Sequence, residues 1–159
     1  MDAFEIDICN RQSVLKLDTA ALGRAIRATL VVERVKRAVI SVSLVDNDTI
    51  HRLNREHLNH DFPTDVISFQ LAFDSDEDAD EDATPSQLRA ACAAIEGDIV
   101  ASAEMALQVA AEHGWTPQQE LTLYVLHGLL HVCGYDDLTD DEASIMRERE
   151  QAALEASGL

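Results

Sequence analysis

Two histidines four residues apart, His127 and His131, have the spacing that allows two side chains to bind one metal ion. Residues four apart lie on one face of an α-helix, so both imidazoles can reach the same ion without bending the backbone. Gly134 can take the left-handed conformation that ends a helix, and the returning chain carries Asp136 and Asp137. These residues predict a transition-metal site in which a third ligand follows the helix.

The spacing H-x-x-x-H-x-x-G-x-x-D matches the metzincin zinc-protease pattern at both helical ligands and at the glycine. Asp137 occupies the third ligand position, so we expect one zinc ion per chain, bound by His127, His131 and Asp137, with Asp136 bracing the turn. Three protein ligands leave one coordination position open, which is typical of a catalytic zinc and predicts metal-assisted hydrolysis. The alternative without a metal is two histidines hydrogen-bonded in a helical core.

A zinc protease would also need a general base. In those enzymes a Glu directly follows the first His, whereas this chain has Gly128 at that position. The predicted ligands are therefore protease-like while the protease's base is missing. A small zinc protease is an alternative function that Gly128 argues against.

The helix that must carry the histidines begins with an N-cap threonine, a proline and a capping-box glutamine within residues 116–119. Residues 121–133 are apolar almost all round, which predicts a buried helix. Histidines on a buried helix need polar partners. Glu120 and Tyr124 lie on the same helical face and are candidates to orient them.

The rest of the chain alternates strand and helix patterns. Alternating or β-branched segments predict strands at residues 4–9, 39–45, 66–71 and 97–100. Further helices are predicted at residues 18–36, with Leu22, Ile26, Leu30 and Val31 facing inward, and at 49–57, 102–113 and 139–156. Residues 74–90 are acidic and are predicted to form a flexible loop, because crowded carboxylates repel one another. A single domain over residues 1–159 accommodates these elements.

The net charge of −18 is unevenly distributed. Residues 1–60 carry nine Lys or Arg against eight Asp or Glu, whereas residues 61–159 carry three against 22. Four arginines are spaced to lie along one side of a helix: Arg24, Arg27, Arg34 and Arg37. They could face a polyanion or simply water. The acidic remainder repels phosphate, which favours a protein partner over bare RNA.

The sequence shows no pattern typical of secretion or of membrane insertion. No apolar run approaches the length of a membrane span. The first residues lack the basic and apolar regions of a signal peptide. The three cysteines, Cys9, Cys92 and Cys133, are odd in number and scattered, which argues against a disulfide framework. We therefore expect a cytoplasmic protein.

Three motifs in order resemble the YbeY family of bacterial metal-dependent endoribonucleases: PTDVISF at 63–69, GDIV at 97–100 and HGLLHVCGYDD at 127–137. The resemblance implies a single α+β domain in which a small mixed four-stranded sheet packs with about five helices, one of them a zincin-like metal helix. It implies a single-strand-specific, zinc-dependent endoribonuclease in ribosomal RNA processing, including maturation of the small-subunit rRNA 3′ end, and in ribosome quality control. The implied partners are ribosomal RNA and ribosomal particles or ribosomal proteins, with no membrane and no DNA.

The chain departs from the family pattern near the implied site. The family motif usually ends in a third His, where this chain has Asp137, and a carboxylate oxygen is also an ordinary zinc ligand. The family's Tyr-Arg pair, thought to serve RNA cleavage, is His57-Leu58 here, and its Phe-Pro is Phe69-Gln70. The absent arginine supports an alternative, a noncatalytic metal-stabilised factor that docks on the ribosome through the face formed by Arg24 to Arg37.

The polar turn before the third predicted strand holds the candidates for proton transfer. Asp61, Asp65 and His60 could carry a proton or contact the metal ligands. Polar turn residues commonly stabilise the turn itself, which is the structural alternative for all three. The general base is therefore not identified by the sequence.

Overall fold

The computed structural model describes residues 3–60, 64–75 and 88–158. The strands are β1 (Phe4–Asn10), β2 (Arg37–Val45), β3 (Val66–Asp74) and β4 (Ala94–Ser102). The helices are α1 (Thr19–Val32), α2 (Asn47–Leu58), α3 (Ala103–Val109), α4 (Pro117–Val132) and α5 (Asp140–Ala156), and a 3₁₀ turn at Ala110–His113 follows α3. Every strand and helix predicted from the sequence has a counterpart among these elements.

The four strands form one mixed sheet in the order β1-β2-β4-β3. β1 and β4 both run parallel to β2, whereas β3 lies at the edge and runs antiparallel to β4. Parallel neighbours need a crossover connection, which α1 provides between β1 and β2. The predicted α+β domain with a small mixed four-stranded sheet and five helices is confirmed.

The main hydrophobic core lies between one face of the sheet and the helices. Alternate residues of β2, including Ile40, Val42 and Leu44, are buried in this core together with most of α4. A second, smaller cluster joins α2 to the sheet through Ile50 and Ile67. Helix α4 is thus held between the sheet and the remaining helices, as its apolar sequence predicts.

Helix α1 ends at Val32, short of the predicted end at Lys36. Glu33 is its C-cap, and Arg34 has a left-handed φ of 57°, a conformation that an α-helix cannot continue. Val31, predicted to face the core, is instead 62% exposed. The predicted boundary and this core assignment are therefore wrong.

The four arginines predicted to share one side of a helix do not do so. Arg24 and Arg27 lie on α1, Arg34 lies in the turn that follows, and Arg37 opens β2. Arg24 is highly exposed, and Arg27 lies over the ring of Phe4. The basic residues suggested as a ribosome-docking face are thus divided among three parts of the chain.

Two expectations from the sequence fall largely outside the described residues. The flexible acidic loop predicted over 74–90 is described only at its two ends, and Asp61 belongs to the undescribed residues 61–63. Among the described helices, none has both the length and the apolar character needed to cross a membrane.

Candidate metal centre

Helix α4 carries both histidines, and its start is fixed by a reciprocal cap. The Thr116 hydroxyl accepts the Gln119 backbone N–H at 3.1 Å, and the Gln119 side chain accepts the Thr116 N–H at 3.0 Å. Pro117 occupies the first turn, where its missing N–H costs no hydrogen bond. The capping box predicted from the sequence is confirmed.

The end of α4 turns the chain back toward the histidines. Gly134 has a φ of 99°, and the Tyr135 N–H donates to the Leu130 carbonyl at 3.1 Å, the long hydrogen bond of a Schellman motif. From β3, the Gln70 side-chain amide donates to the Val132 carbonyl at 2.9 Å. In the family that the three motifs resemble, this position is a proline, which has no side-chain donor for this contact. The sheet edge is therefore tied to the end of the histidine helix.

The three predicted ligands lie together beside this turn. The Nε2 atoms of His127 and His131 are 3.0 Å apart, and Asp137 places carboxylate oxygens 3.6 Å and 3.9 Å from them. One donor atom from each residue lies within 4.8 Å of the others, the one such group of three found in the described parts of the chain. The side chains are between 24% and 43% exposed, so the cluster is open to solvent.

Both imidazoles are oriented by acceptors on the side away from the cluster. The Nδ1 of His127 is 2.5 Å from Oε1 of Glu150 on α5, and the Nδ1 of His131 is 3.0 Å from the Tyr135 carbonyl. A carboxylate and a carbonyl only accept hydrogen bonds, so Nδ1 carries the proton in both rings. When a ring carries no second proton, it therefore presents the lone pair of Nε2 to the cluster.

The chemistry of this donor set fits a transition-metal ion. Two nitrogen lone pairs 3.0 Å apart repel each other unless a proton or a metal ion lies between them. Tetrahedral zinc with bonds of about 2.0–2.1 Å holds two nitrogens about 3.3 Å apart, close to the observed separation. The carboxylate of Asp137 supplies negative charge beside them, and a carboxylate–histidine pair such as Glu150–His127 is typical of zinc sites.

The surrounding carboxylates also alter the protonation of His127. Burial lowers the pKa of His127, but Glu150, Asp137 and Asp65 together outweigh it and raise the pKa above its ordinary value. Protons compete with a metal ion for Nε2 as the pH falls through this raised pKa. Metal affinity should accordingly decrease with decreasing pH.

Asp136 and Asp137 differ in what their carboxylates contact. Asp136 accepts the Asp137 backbone N–H at 2.9 Å, which agrees with the expected bracing of the turn. We expect Asp137→Ala to weaken zinc binding by about tenfold or more, because one of three ligands is lost. Asp137→His should retain zinc, because imidazole can replace the carboxylate. Zinc titration measures both variants, and Asp136→Ala is the matched control. If Asp136→Ala loses zinc and Asp137→Ala retains it, Asp136 is the metal ligand and Asp137 is not.

Of the three candidates in the polar turn, Asp65 lies near the cluster. Its carboxylate accepts the Val66 N–H at 2.7 Å at the start of β3, and its charge contributes to the raised pKa of His127. His60 is exposed, and its backbone N–H bonds to the end of α2. Asp61 lies outside the described residues. Of the two described candidates, Asp65 is therefore the one whose charge acts on the cluster.

Glu120 and Tyr124 do not orient the histidines through any contact in the described structure. Glu120 is 2% exposed, and its Oε1 lies 2.9 Å from Nδ1 of His113 in the 3₁₀ turn. Burial, followed by the nearby carboxylates of Glu120 and Asp65, raises the pKa of Tyr124 and keeps its hydroxyl protonated. Both residues lie on α4 with the histidines, as predicted. The sequence did not reveal that the Glu120 carboxylate would pair with His113.

Glu150 is the residue of the candidate site that could not be found from the sequence. It lies 23 residues beyond His127 on another helix, so no local spacing relates the two. The one available signal was the general need of histidines on a buried helix for polar partners. That signal predicts that a partner exists but does not identify it.

The position of Gly128 gives a physical reason for the absent protease base. A Cβ atom on Gly128 would lie 2.9 Å from Cγ2 of Ile99 and 3.1 Å from Cγ2 of Val66. The position therefore faces the sheet, and its neighbours are buried or half-buried strand residues. A glutamate there would be pressed into the sheet, which removes the support for a zinc protease.

We expect Gly128→Ala to lower the free energy of unfolding by about 1–3 kcal/mol, because the added methyl overpacks the contact between α4 and the sheet. Gly23→Ala in α1 is the matched control, since its Cβ would meet only Ile8 at 3.8 Å. That variant should be neutral or stabilising by up to about 1 kcal/mol, because alanine is the better helix former. Urea denaturation measures both, and an unchanged or increased stability of Gly128→Ala would contradict the packing argument.

The chain matches the family model described as Endoribonuclease YbeY over residues 7–158. It is 36% identical over 156 residues to a protein named Endoribonuclease YbeY from Carboxydothermus hydrogenoformans, covering 96% of this chain and 97% of that relative. A protein of the same name from Rhodopirellula baltica is 39% identical over 147 residues, covering 90% of this chain and 67% of that relative.

The fold is similar to the solution structure of TM1509 from Thermotoga maritima. The TM-score is 0.60 at 24% sequence identity, with 96% of this chain and 88% of the other chain covered. This likeness concerns the arrangement of strands and helices.

Proposed function

Because this chain belongs to the YbeY family of metal-dependent endoribonucleases, we propose that it cleaves single-stranded RNA with one zinc ion held by His127, His131 and Asp137. The family model covers nearly the whole chain, so the resemblance inferred from three short motifs is confirmed. The zinc, the strand specificity and the residue roles are proposals for this chain.

The observation that carries the proposal is the pair of Nε2 atoms 3.0 Å apart on His127 and His131. Acceptors behind both rings hold Nδ1, so that Nε2 of each ring faces the cluster, and Asp137 completes the group. A metal-dependent family and a cluster with the donor chemistry of a zinc site support the same conclusion.

The chain's own residues would orient and protect this chemistry. A bound zinc ion would supply a Lewis acid that activates water near neutral pH and polarises a phosphodiester. Glu150 and the Tyr135 carbonyl keep both imidazoles in the metal-binding tautomer. We assign Asp65 as the candidate group that accepts a proton from the attacking nucleophile, because its carboxylate lies near His127.

We propose that the substrate is ribosomal RNA within ribosomal particles, with roles in maturation of the small-subunit 3′ end and in ribosome quality control. This follows from the family and would place the protein in the cytoplasm. The net charge of −18 opposes tight binding of free RNA, because little counterion release is gained by an acidic surface. Ribosomal proteins that hold the substrate would remove this handicap.

A noncatalytic ribosome-docking factor is the second candidate. Leu58 stands where the family arginine would be, and it is the last residue of α2 with 43% of its surface exposed. Its neighbour His57 packs edge-on against Phe69, with ring centroids 6.0 Å apart. The position therefore provides no cation for charge that develops on phosphate oxygens.

Cleavage of one labelled RNA, presented as a single strand, as a duplex with its complement and within ribosomal particles, separates these functions. The endoribonuclease should cut the single strand slowly, the particle faster and the duplex least, and a chelator should abolish all cleavage. Zinc should restore it. Zinc-loaded protein that binds the particles yet cuts none of the three substrates would favour the docking factor.

A further inference from the structure

A buried carboxylate lies behind the metal centre, at the end of α1. The side chain of Glu33 is 0% exposed. Its Oε1 accepts the Tyr135 hydroxyl at 2.6 Å, and its Oε2 accepts two N–H groups of Arg149, from Nε at 2.9 Å and from Nη2. Both oxygens therefore have donors, and the negative charge is paired with a guanidinium.

The first partner of Glu33 leads to His131. Tyr135 is 3% exposed, and its backbone carbonyl is the acceptor for Nδ1 of His131. Its hydroxyl is fixed by Glu33, and its ring lies under the guanidinium of Arg89. The carboxylate thus restrains the residue that orients one imidazole.

The second partner leads to His127. Arg149 directly precedes Glu150 on α5, and Glu150 accepts Nδ1 of His127. The side chain of Arg149 is only 13% exposed, and the pairing of its guanidinium with Glu33 holds this part of α5 against the end of α1. The position of the Glu150 backbone follows directly from that of Arg149.

Fold stability alone is a weak explanation for this arrangement. Removing two charges from water costs more than their attraction often returns, and well-packed apolar residues commonly stabilise a core equally well. A buried charge that fixes Tyr135, whose carbonyl orients His131, and Arg149, the neighbour of Glu150, has a positional consequence that apolar residues would not provide.

We propose that Glu33 is a positioning residue for the metal centre, acting on His131 through Tyr135 and on His127 through Arg149 and Glu150. This inference rests on the zinc site proposed above. It adds a group more than 90 residues away from the histidines in the sequence, with no contact to the metal ligands themselves.

Glu33→Gln tests the proposal, because it retains an acceptor for Tyr135 and removes the charge opposite Arg149. We expect zinc affinity to fall about tenfold, the lower end for groups that orient metal ligands. Competition with a chromophoric chelator measures that affinity. The visible absorption of the cobalt-substituted protein should change as well, because the ligand geometry is altered.

Tyr135→Phe, which keeps the ring and the carbonyl, should also weaken zinc binding. This second variant tests the proposal if Glu33→Gln fails to fold.

Ile26→Val is the matched control, since Ile26 lies on the same helix, is fully buried and has no polar contact to the centre. It should lower stability without changing zinc affinity or the cobalt spectrum. Folded Glu33→Gln and Tyr135→Phe that bind zinc as tightly as the unmodified protein would overturn the positioning role alone. An equal loss of affinity in Ile26→Val would also overturn it. Unmodified protein that binds no zinc would overturn both the metal site and this inference.

Discussion

Replacing His131 with alanine is expected to abolish stoichiometric zinc binding and, with it, RNA cleavage. The variant would leave His127 and Asp137 as the only two protein ligands, whereas a catalytic zinc site normally has three. The Tyr135 carbonyl would also lose its partner, although the fold should persist because His131 is only half-buried. Elemental analysis of the purified variant, after dialysis, measures the remaining zinc.

His113→Asn is the control for this experiment. His113 is also paired with a carboxylate, that of Glu120, but it lies in the 3₁₀ turn and outside the cluster. Asparagine can still donate a hydrogen bond to Glu120, so this variant should bind zinc like the unmodified protein. Unchanged zinc content in His131→Ala would show that the histidine pair is not the metal site.

Introducing arginine at Leu58 is expected to increase the rate of cleavage of free single-stranded RNA by about tenfold or more. A positioned cation stabilises charge that develops on the phosphate oxygens, and removing one such group typically costs a factor of about 10²–10³. The nearest preceding basic residues, Arg52 and Arg55, lie earlier on α2 and are not at this position. Rate measurements under single-turnover conditions test the expected gain.

Leu58→Gln separates charge from simple loss of an exposed leucine. Leu58→Gln should leave the cleavage rate unchanged. Leu58→Arg should also steepen the plot of log binding constant against log salt concentration by about 0.7, for one added phosphate contact. Rapid, chelator-sensitive cleavage of naked RNA by the unmodified protein, with no further gain in Leu58→Arg, would contradict the reasoning about the missing arginine.

Most of the fold could be predicted because hydrophobic periodicity and caps are local signals. The start of α4 follows from its capping box, and its burial follows from the apolar run after residue 120. The end of α1 could not be predicted in this way. It is set by a left-handed Arg34, a residue type that gives no sequence signal for that conformation.

The site could be predicted only as far as its local spacing extended. His127, His131 and Asp137 were identified from one short motif, and the structure brings them together, while their binding of zinc stays a prediction. Glu150 contacts His127 from α5, and Glu33 at the end of α1 contacts Tyr135, through tertiary packing. Their contacts depend on how α1, α4 and α5 meet, which no single segment of the sequence encodes.

The most direct test of a zinc-dependent endoribonuclease is to measure the cleavage rate and the zinc content in the same sample. Protein stripped with a chelator should cut no single-stranded RNA. Stepwise return of zinc should raise the rate in proportion to bound metal until about one zinc per chain is reached. Cleavage by the metal-free protein at the rate of the zinc-loaded protein would contradict the central claim.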